Sequence, residues 1–184
     1  MKYVLSLFFD IISDISLFVM AYHLKNKPEK WIKNARVLGF DHGAKTFGLA
    51  ICNTAQTVVT PLETIHRTKW AKDRDILDKF INSHDIRSIV VGYPLNMDGS
   101  AGSRCQAVKD FVSLMEETWP KLTIFFFDER LSTQTVDKFL DNNRKMTRDK
   151  RKEFKDALAA QVILDEALRF IALEDKKNGS ITIS

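Results

Sequence analysis

The strongest constraint on this chain is the order of its segments. Short apolar runs of β type come first as a meander and then alternate with stretches of helical period. Val37-Leu38-Gly39-Phe40 leads through the turn at residues 41–46 into Phe47-Gly48-Leu49-Ala50-Ile51-Cys52, the returning strand of a hairpin. Residues 57–60 and 62–65, joined at Pro61, predict a third, edge-like strand, because proline cannot donate to a ladder. Ile76, Leu77, Phe80 and Ile81 fall at helical spacing within residues 70–84, and Ile89-Val90-Val91 reads as a buried strand stopped by Gly92-Tyr93-Pro94. After a loop with a turn at Asp98-Gly99, Ser103 opens a helix whose inner face is Ala107, Val108, Phe111, Val112 and Met115. Residues 122–127 form the fifth strand. A short helix at 133–141 and a long one at 152–173 complete the order. A meander followed by alternating helices and strands predicts an α/β fold with a mixed five-stranded sheet flanked by helices.

That unit occupies residues 35–174. Residues 1–34 are expected to be an added apolar or amphipathic helix followed by a linker, and residues 175–184 a loose tail. On a helix, Ser6, Asp10, Ser13 and Asp14 form a narrow polar stripe on an otherwise apolar cylinder. Two aspartates near mid-bilayer would cost roughly 2.5–3.5 kcal/mol each and the surrounding Leu, Ile, Phe and Val return roughly 0.3–0.6 kcal/mol apiece, so a membrane span comes out near balance. A signal peptide fits poorly, since only Lys2 is basic and the apolar run is broken. Cys52 and Cys105 are far apart and belong to no C-x-x-C pair. That excludes a disulfide scaffold or zinc ribbon and makes a reducing cytoplasm the expected compartment.

The net charge of +4 is unevenly placed. Arg144, Lys145, Arg148, Lys150, Arg151, Lys152 and Lys155 stand against only Asp149 and Glu153, a basic loop that would attract polyphosphates such as nucleic acid.

Against that background, a few acids break their local pattern. Asp41 ends the first strand at a glycine turn. Asp128 and Glu129 end Ile124-Phe125-Phe126-Phe127, at the carboxyl edge where open α/β sheets gather ligands. Asp156 shares one helical stripe with Ala159, Ala160, Ile163, Leu164, Ala167 and Ile171, so the first turn of that helix aims a carboxylate at the sheet. Converging carboxylates repel one another unless a cation neutralises them. Apart from His42 next to Asp41, no histidine or cysteine accompanies them, so hard oxygen ligation of Mg²⁺ or Mn²⁺ fits better than zinc. His42 reads as a turn residue. Ser100, Ser103, Ser132 and Thr133 read as turn or cap residues, and no G-x-S-x-G elbow is present.

Four blocks carry a resemblance. Residues 37–50 resemble a hydrophobic strand followed by D-x-G-x-K-x-x-G-x-A, and residues 89–100 resemble VVG-x-P-L-N-x-x-G-S. Asp128-Glu129-Arg130-Leu131-Ser132-Thr133 resembles DERL[ST]T, and residues 156–164 resemble D-x-x-AA-x-x-IL. In this order they resemble the YqgF (RuvX) group of RNase H-like nucleases, related to Holliday-junction resolvases, over residues 37–170. The resemblance implies an RNase H-like fold in a cytoplasmic protein and a role in processing the 5′ end of pre-16S ribosomal RNA. It implies catalytic, metal-holding carboxylates at Asp41, Glu129 and Asp156. Resolvase relatives take their second acid from the fourth strand, where residues 92–96 here contain none, so Glu129 is the substitute and Asp128 its rival. Two divalent ions, Mg²⁺ or Mn²⁺, about 3.5–4 Å apart, would serve phosphodiester hydrolysis. Lys45, Arg104, Arg148, Lys150 and Arg151 would hold the phosphate backbone. The expected partner is structured RNA in ribosome biogenesis or branched DNA, met by a monomer or a homodimer, since a resolvase needs two-fold symmetry to cut two strands. A non-catalytic nucleic-acid adaptor would need the basic loop but not the acids. A sugar-kinase-like phosphotransferase would need a second lobe for which too little chain follows Asp156. Thr46 departs from the family's Lys-Arg pattern and removes one phosphate contact.

Overall fold

The computed structural model describes residues 22–23, 30–131 and 148–179. They build a mixed sheet in the order β1-β7-β6-β2-β3-β4 with β5 also on β3. The strands are β1 (Tyr22–His23), β2 (Arg36–His42), β3 (Thr46–Cys52), β4 (Val59–Pro61), β5 (Ile65–His66), β6 (Ile86–Tyr93) and β7 (Thr123–Asp128). The helices are α1 (Trp70–Ser83), α2 (Ser103–Thr118) and α3 (Arg148–Gly179). Strands β2, β6 and β7 run parallel and β3 returns antiparallel to β2, so three carboxyl ends share one edge of the sheet.

Burial on both faces explains the continuous apolar runs. On one face Leu38, Phe40, Leu49, Val91 and Phe126 meet Leu77 and Ile81 of α1 and Val108, Val112 and Met115 of α2. On the other, Val37, Val90 and Phe125 meet Ile163, Leu164, Ala167 and Ile171 of α3. Apart from Ala167, each such side chain contributes roughly 1.5–3 kcal/mol when taken out of water. The five predicted strands are all present. Pro61 lies in β4 opposite Ala50, and the third predicted strand divides there into β4 and β5, both on β3.

Other expectations change. The long helix starts at Arg148, not Lys152, and runs to Gly179. Arg148, Lys150 and Arg151 therefore belong to a helix rather than a loop, as good helix formers uninterrupted by glycine or proline should. The supposed tail at residues 175–179 is helical too, with Asp175 2.9 Å from Lys33. In the supposed linker, Trp31 is buried 5.2 Å from the Phe125 ring, and its indole N–H donates to Gln56. Tyr22–His23 add a parallel edge strand beside Phe125 and Phe126. The remainder of the predicted leader helix, the helix at 133–141 and residues 144–147 lie outside the described residues. Among the described residues no helix is long and apolar enough to cross a membrane.

The chain enters α1 through Asp73, buried in the first turn, which accepts hydrogen bonds from the Thr68 amide (3.0 Å) and hydroxyl (2.8 Å). Asp73→Ala leaves both donors without their acceptor, at about 1–3 kcal/mol. Thermal unfolding should fall by roughly 3–10 °C for a chain of this size, with Asp73→Asn intermediate. A midpoint unchanged within about 1 °C would show that this contact does not hold the helix start.

Candidate functional site

The two-residue period of a strand decides which side chains reach the site. Val37, Gly39 and Asp41 of β2 face α3, as do Val90 and Gly92 of β6 and Phe125 and Phe127 of β7. Glu129 opens a short 3-10 turn, Glu129–Leu131, directly after β7, and its carboxylate comes back over Gly92 on that face. Phe40 pairs with Val91 and Gly92 with Phe127, so Asp41, Gly92 and Phe127 form a row across the three parallel strands, with Glu129 just beyond it. From the other side, α3 places Asp156 against β3. Its carboxylate accepts a 2.7 Å hydrogen bond from the Thr46 hydroxyl. Because α3 begins at Arg148, Asp156 lies two turns inside the helix rather than in its first turn, and the helix dipole does not account for it.

Thr46 sits at the foot of the β2–β3 turn, which Arg67 holds closed. The Arg67 guanidinium donates to the Gly43 carbonyl (2.8 Å), its amide donates to the Lys45 carbonyl (2.9 Å), and its cation lies 4.8 Å from the Phe47 ring centre. Lys45 is exposed on this turn. His42 points the other way, its ring 4.7 Å from Phe111, with Nε2 buried and unbonded among the described residues. Burial, then the Arg67 charge, pushes His42 down to about 4. At neutral pH it is an uncharged member of the aromatic packing, and it belongs to the end of β2 rather than to the turn.

The acids are strained electrostatically. Burial and then the charge of Asp156 push Asp41 up to about 6, against the pull of Arg104. Burial and then Asp41 push Glu129 up to about 7, again opposed by Arg104. Asp41 is thus the middle member of the set, coupled to Asp156 on one side and Glu129 on the other. Asp128 is engaged differently. The Arg130 guanidinium grips it with bonds of 2.6–3.0 Å and the Arg130 amide adds another, so its carboxylate is committed to that partner. Arg104, exposed in the first turn of α2, is a cation whose charge opposes the upward shift of both Asp41 and Glu129.

Beside Glu129 lies a cavity of about 510 Å³ lined by Asn96, Ser103, Arg104 and Arg130. Its loop wall is built locally: the Asn96 amide group donates to the Ser100 hydroxyl, and Ser100 donates to Asp98. The turn passes through Gly99 at φ +84°, a left-handed conformation that glycine adopts without strain.

Of the residues singled out from sequence, the structure brings Asp41, Glu129, Asp156, Lys45 and Arg104 to one edge of the sheet. Arg148, Lys150 and Arg151 begin the helix that carries Asp156, and their side chains lie outside the described residues. In the sequence Thr46 signals only a lost phosphate contact. Arg67 carries no signal of a role there, and Gly92 signals only a strand end and the absence of an acid, because their partners lie far away in the chain.

The RuvX family model, described as Holliday junction resolvase, matches residues 35–169. A protein of Rhodospirillum centenum named "Putative pre-16S rRNA nuclease" is 42% identical over 141 residues, covering 74% of this chain and 74% of its own. A Caulobacter vibrioides protein of the same name is 41% identical over 134 residues, covering 73% of this chain and 86% of its own. Among solved structures, the yeast mitochondrial Holliday junction resolvase Ydc2 shares the fold with a TM-score of 0.51 at 13% identity, over 82% of this chain and 85% of that one.

Proposed function

This chain belongs to the RuvX family, and on that premise we propose that it is a metal-dependent endonuclease that processes the 5′ end of pre-16S rRNA during ribosome biogenesis. The observation that carries the reading is the repelling set Asp156–Asp41–Glu129 at the carboxyl edge of the sheet, with the charge of Arg104 opposing the upward shift of two of its members. Its donors are all carboxylate oxygens, which suits Mg²⁺ or Mn²⁺. Among the described residues no three acidic, histidine or cysteine side chains converge closely enough to chelate an ion unaided. That is compatible with Mg²⁺, which keeps several waters and shares its shell with substrate phosphate. Asp41, Glu129 and Asp156 would hold the ions. When bound, such ions activate water and stabilise the leaving oxygen.

The chain's own groups then have separable tasks. Thr46 holds the Asp156 carboxylate in one orientation. Arg104, with Arg130 across the cavity, draws the phosphate backbone toward Glu129. Lys45 and the basic start of α3 would extend that contact along the strand without reading bases. The two cysteines, buried and unpaired, suit the reducing cytoplasm we propose for it.

The family description favours a second reading, cleavage of branched DNA, and one assay separates the two. A labelled pre-16S 5′ fragment and a four-way DNA junction are incubated with Mg²⁺ or Mn²⁺, with an Asp156→Asn preparation as control. Cation-dependent cutting of the RNA by wild type alone supports the proposal. Symmetric cutting of the junction instead moves the assignment to a dimeric resolvase. Binding of RNA by both proteins with no cleavage would leave an adaptor.

A further inference from the structure

In the row Asp41–Gly92–Phe127, the middle strand presents no side chain. The place where one would stand is filled. A Cβ on Gly92 would overlap Oε1 of Glu129, lie 2.7 Å from its carboxyl carbon and come 2.6 Å from Cδ1 of Ile163. Glu129 begins beyond the end of β7, yet its carboxylate lies over β6, in the space directly above Gly92 and within the field of Asp41. Side chains at two sequence positions thus compete for one volume. Only when residue 92 has no Cβ can the Glu129 carboxylate take this position; with a Cβ it must swing aside.

We propose that Gly92 is a positioning residue. By omitting a side chain it admits the Glu129 carboxylate into the acidic set, and the site requires one carboxylate in that volume without requiring that Glu129 supply it. This rests on the reading of Glu129 as a cation-holding acid. An aspartate at residue 92 would start from the Cβ position just described and carry its carboxyl carbon one bond, about 1.5 Å, further. It would therefore occupy the volume that Glu129 now fills, provided Glu129 is cut back.

The test compares Glu129→Ala, Gly92→Ala/Ile163→Val and Gly92→Asp/Glu129→Ala with wild type. Ile163→Val removes the Cδ1 atom that a new Cβ would meet, leaving the carboxylate as the remaining obstacle, and Ile163→Val alone is the control. Mn²⁺ binding to the full chain is measured by calorimetry and by the rise in unfolding temperature, and RNA cleavage is measured in parallel. Glu129→Ala should weaken Mn²⁺ binding about 100-fold and Gly92→Ala/Ile163→Val about 10-fold or more. Gly92→Asp/Glu129→Ala should recover most of the loss in both binding and cleavage. A merely structural glycine would not show that recovery. If Glu129→Ala is weak and the swap is no better, or if Gly92→Ala/Ile163→Val binds Mn²⁺ like the control, the proposal is overturned while the role of Glu129 stands. If Glu129→Ala binds and cleaves like wild type, the role of Glu129 falls and this proposal falls with it.

Discussion

Asp41→Asn is expected to abolish cation-dependent cleavage and to make the cation-free protein more stable at pH 8. In the unfolded chain this carboxyl ionises near 3.8, whereas in the folded chain it holds its proton to about 6. Between those values the folded state binds more protons, so stability falls as pH rises through the window and stays reduced above it. Glu129, raised from 4.5 to about 7, acts in the same direction. His42 acts in the opposite sense. Its folded value of about 4 lies below the ordinary 6.5, so its contribution is present above 6.5 and is lost as pH falls toward 4.

The cation-free protein should therefore be most stable in mildly acidic solution. Asparagine removes the Asp41 penalty, worth at most about 3 kcal/mol, since each tenfold change in proton affinity corresponds to about 1.4 kcal/mol. The unfolding temperature should rise by several degrees at pH 8 and change little near pH 4. Added Mn²⁺ should stabilise wild type and not the variant. Cleavage should fall at least about 10²–10³-fold, since a charge at the reacting centre is lost. Unfolding scans at both pH values, with and without Mn²⁺, check the sign. A variant less stable than wild type at pH 8 would show that Asp41 is not held in a repelling, desolvated state.

Gly48→Ala should do the reverse, damaging the fold and the site together. Gly48 pairs with Asp41 across the hairpin and faces α3. A Cβ there would overlap the Asp156 carbonyl oxygen, with the carbonyl carbon at 2.5 Å and the Ala157 nitrogen at 3.3 Å. These are helix backbone atoms and cannot swing aside as a side-chain tip would. The helix must lift off the sheet, loosening Ile163 and Leu164 and drawing Asp156 away from Thr46. Overpacking commonly costs about 1–3 kcal/mol and more where nothing yields, so a loss of about 3 kcal/mol or greater is expected. Gly102→Ala is the matched control. Its Cβ would meet only Asn96, at 3.4 Å or more, and, because Gly102 is the N-cap of α2, the variant should lose only about 0.5–1 kcal/mol, or about 1–4 °C. If Gly48→Ala melts with the control, the close approach of α3 is not required.

Asp41, the Asp128–Glu129 pair and Asp156 could be found in the sequence because each ends or interrupts a local rhythm, an apolar strand or a helical stripe. The same rhythm also hid things. The charge count at residues 144–155 suggested a loop, although the absence of glycine or proline there was a readable sign of helix. Pro28 and the lysines around Trp31 outweighed the one aromatic that the core needed. The choice between Asp128 and Glu129 was not legible at all, because adjacent residues share every local signal. In the fold Asp128 closes on Arg130, while Glu129 comes to lie over Gly92.

Local periodicity by itself determined the α/β class, the strand and helix order and the candidate acids Asp41, Asp156 and the Asp128–Glu129 pair, since a pleat and a helix write their period into neighbouring residues. Thr46 meeting Asp156 across 110 residues, and Gly92 making room for Glu129, were decided only by the tertiary structure. Strand register and the approach of α3 set those contacts, and both depend on core packing between segments that share no local pattern.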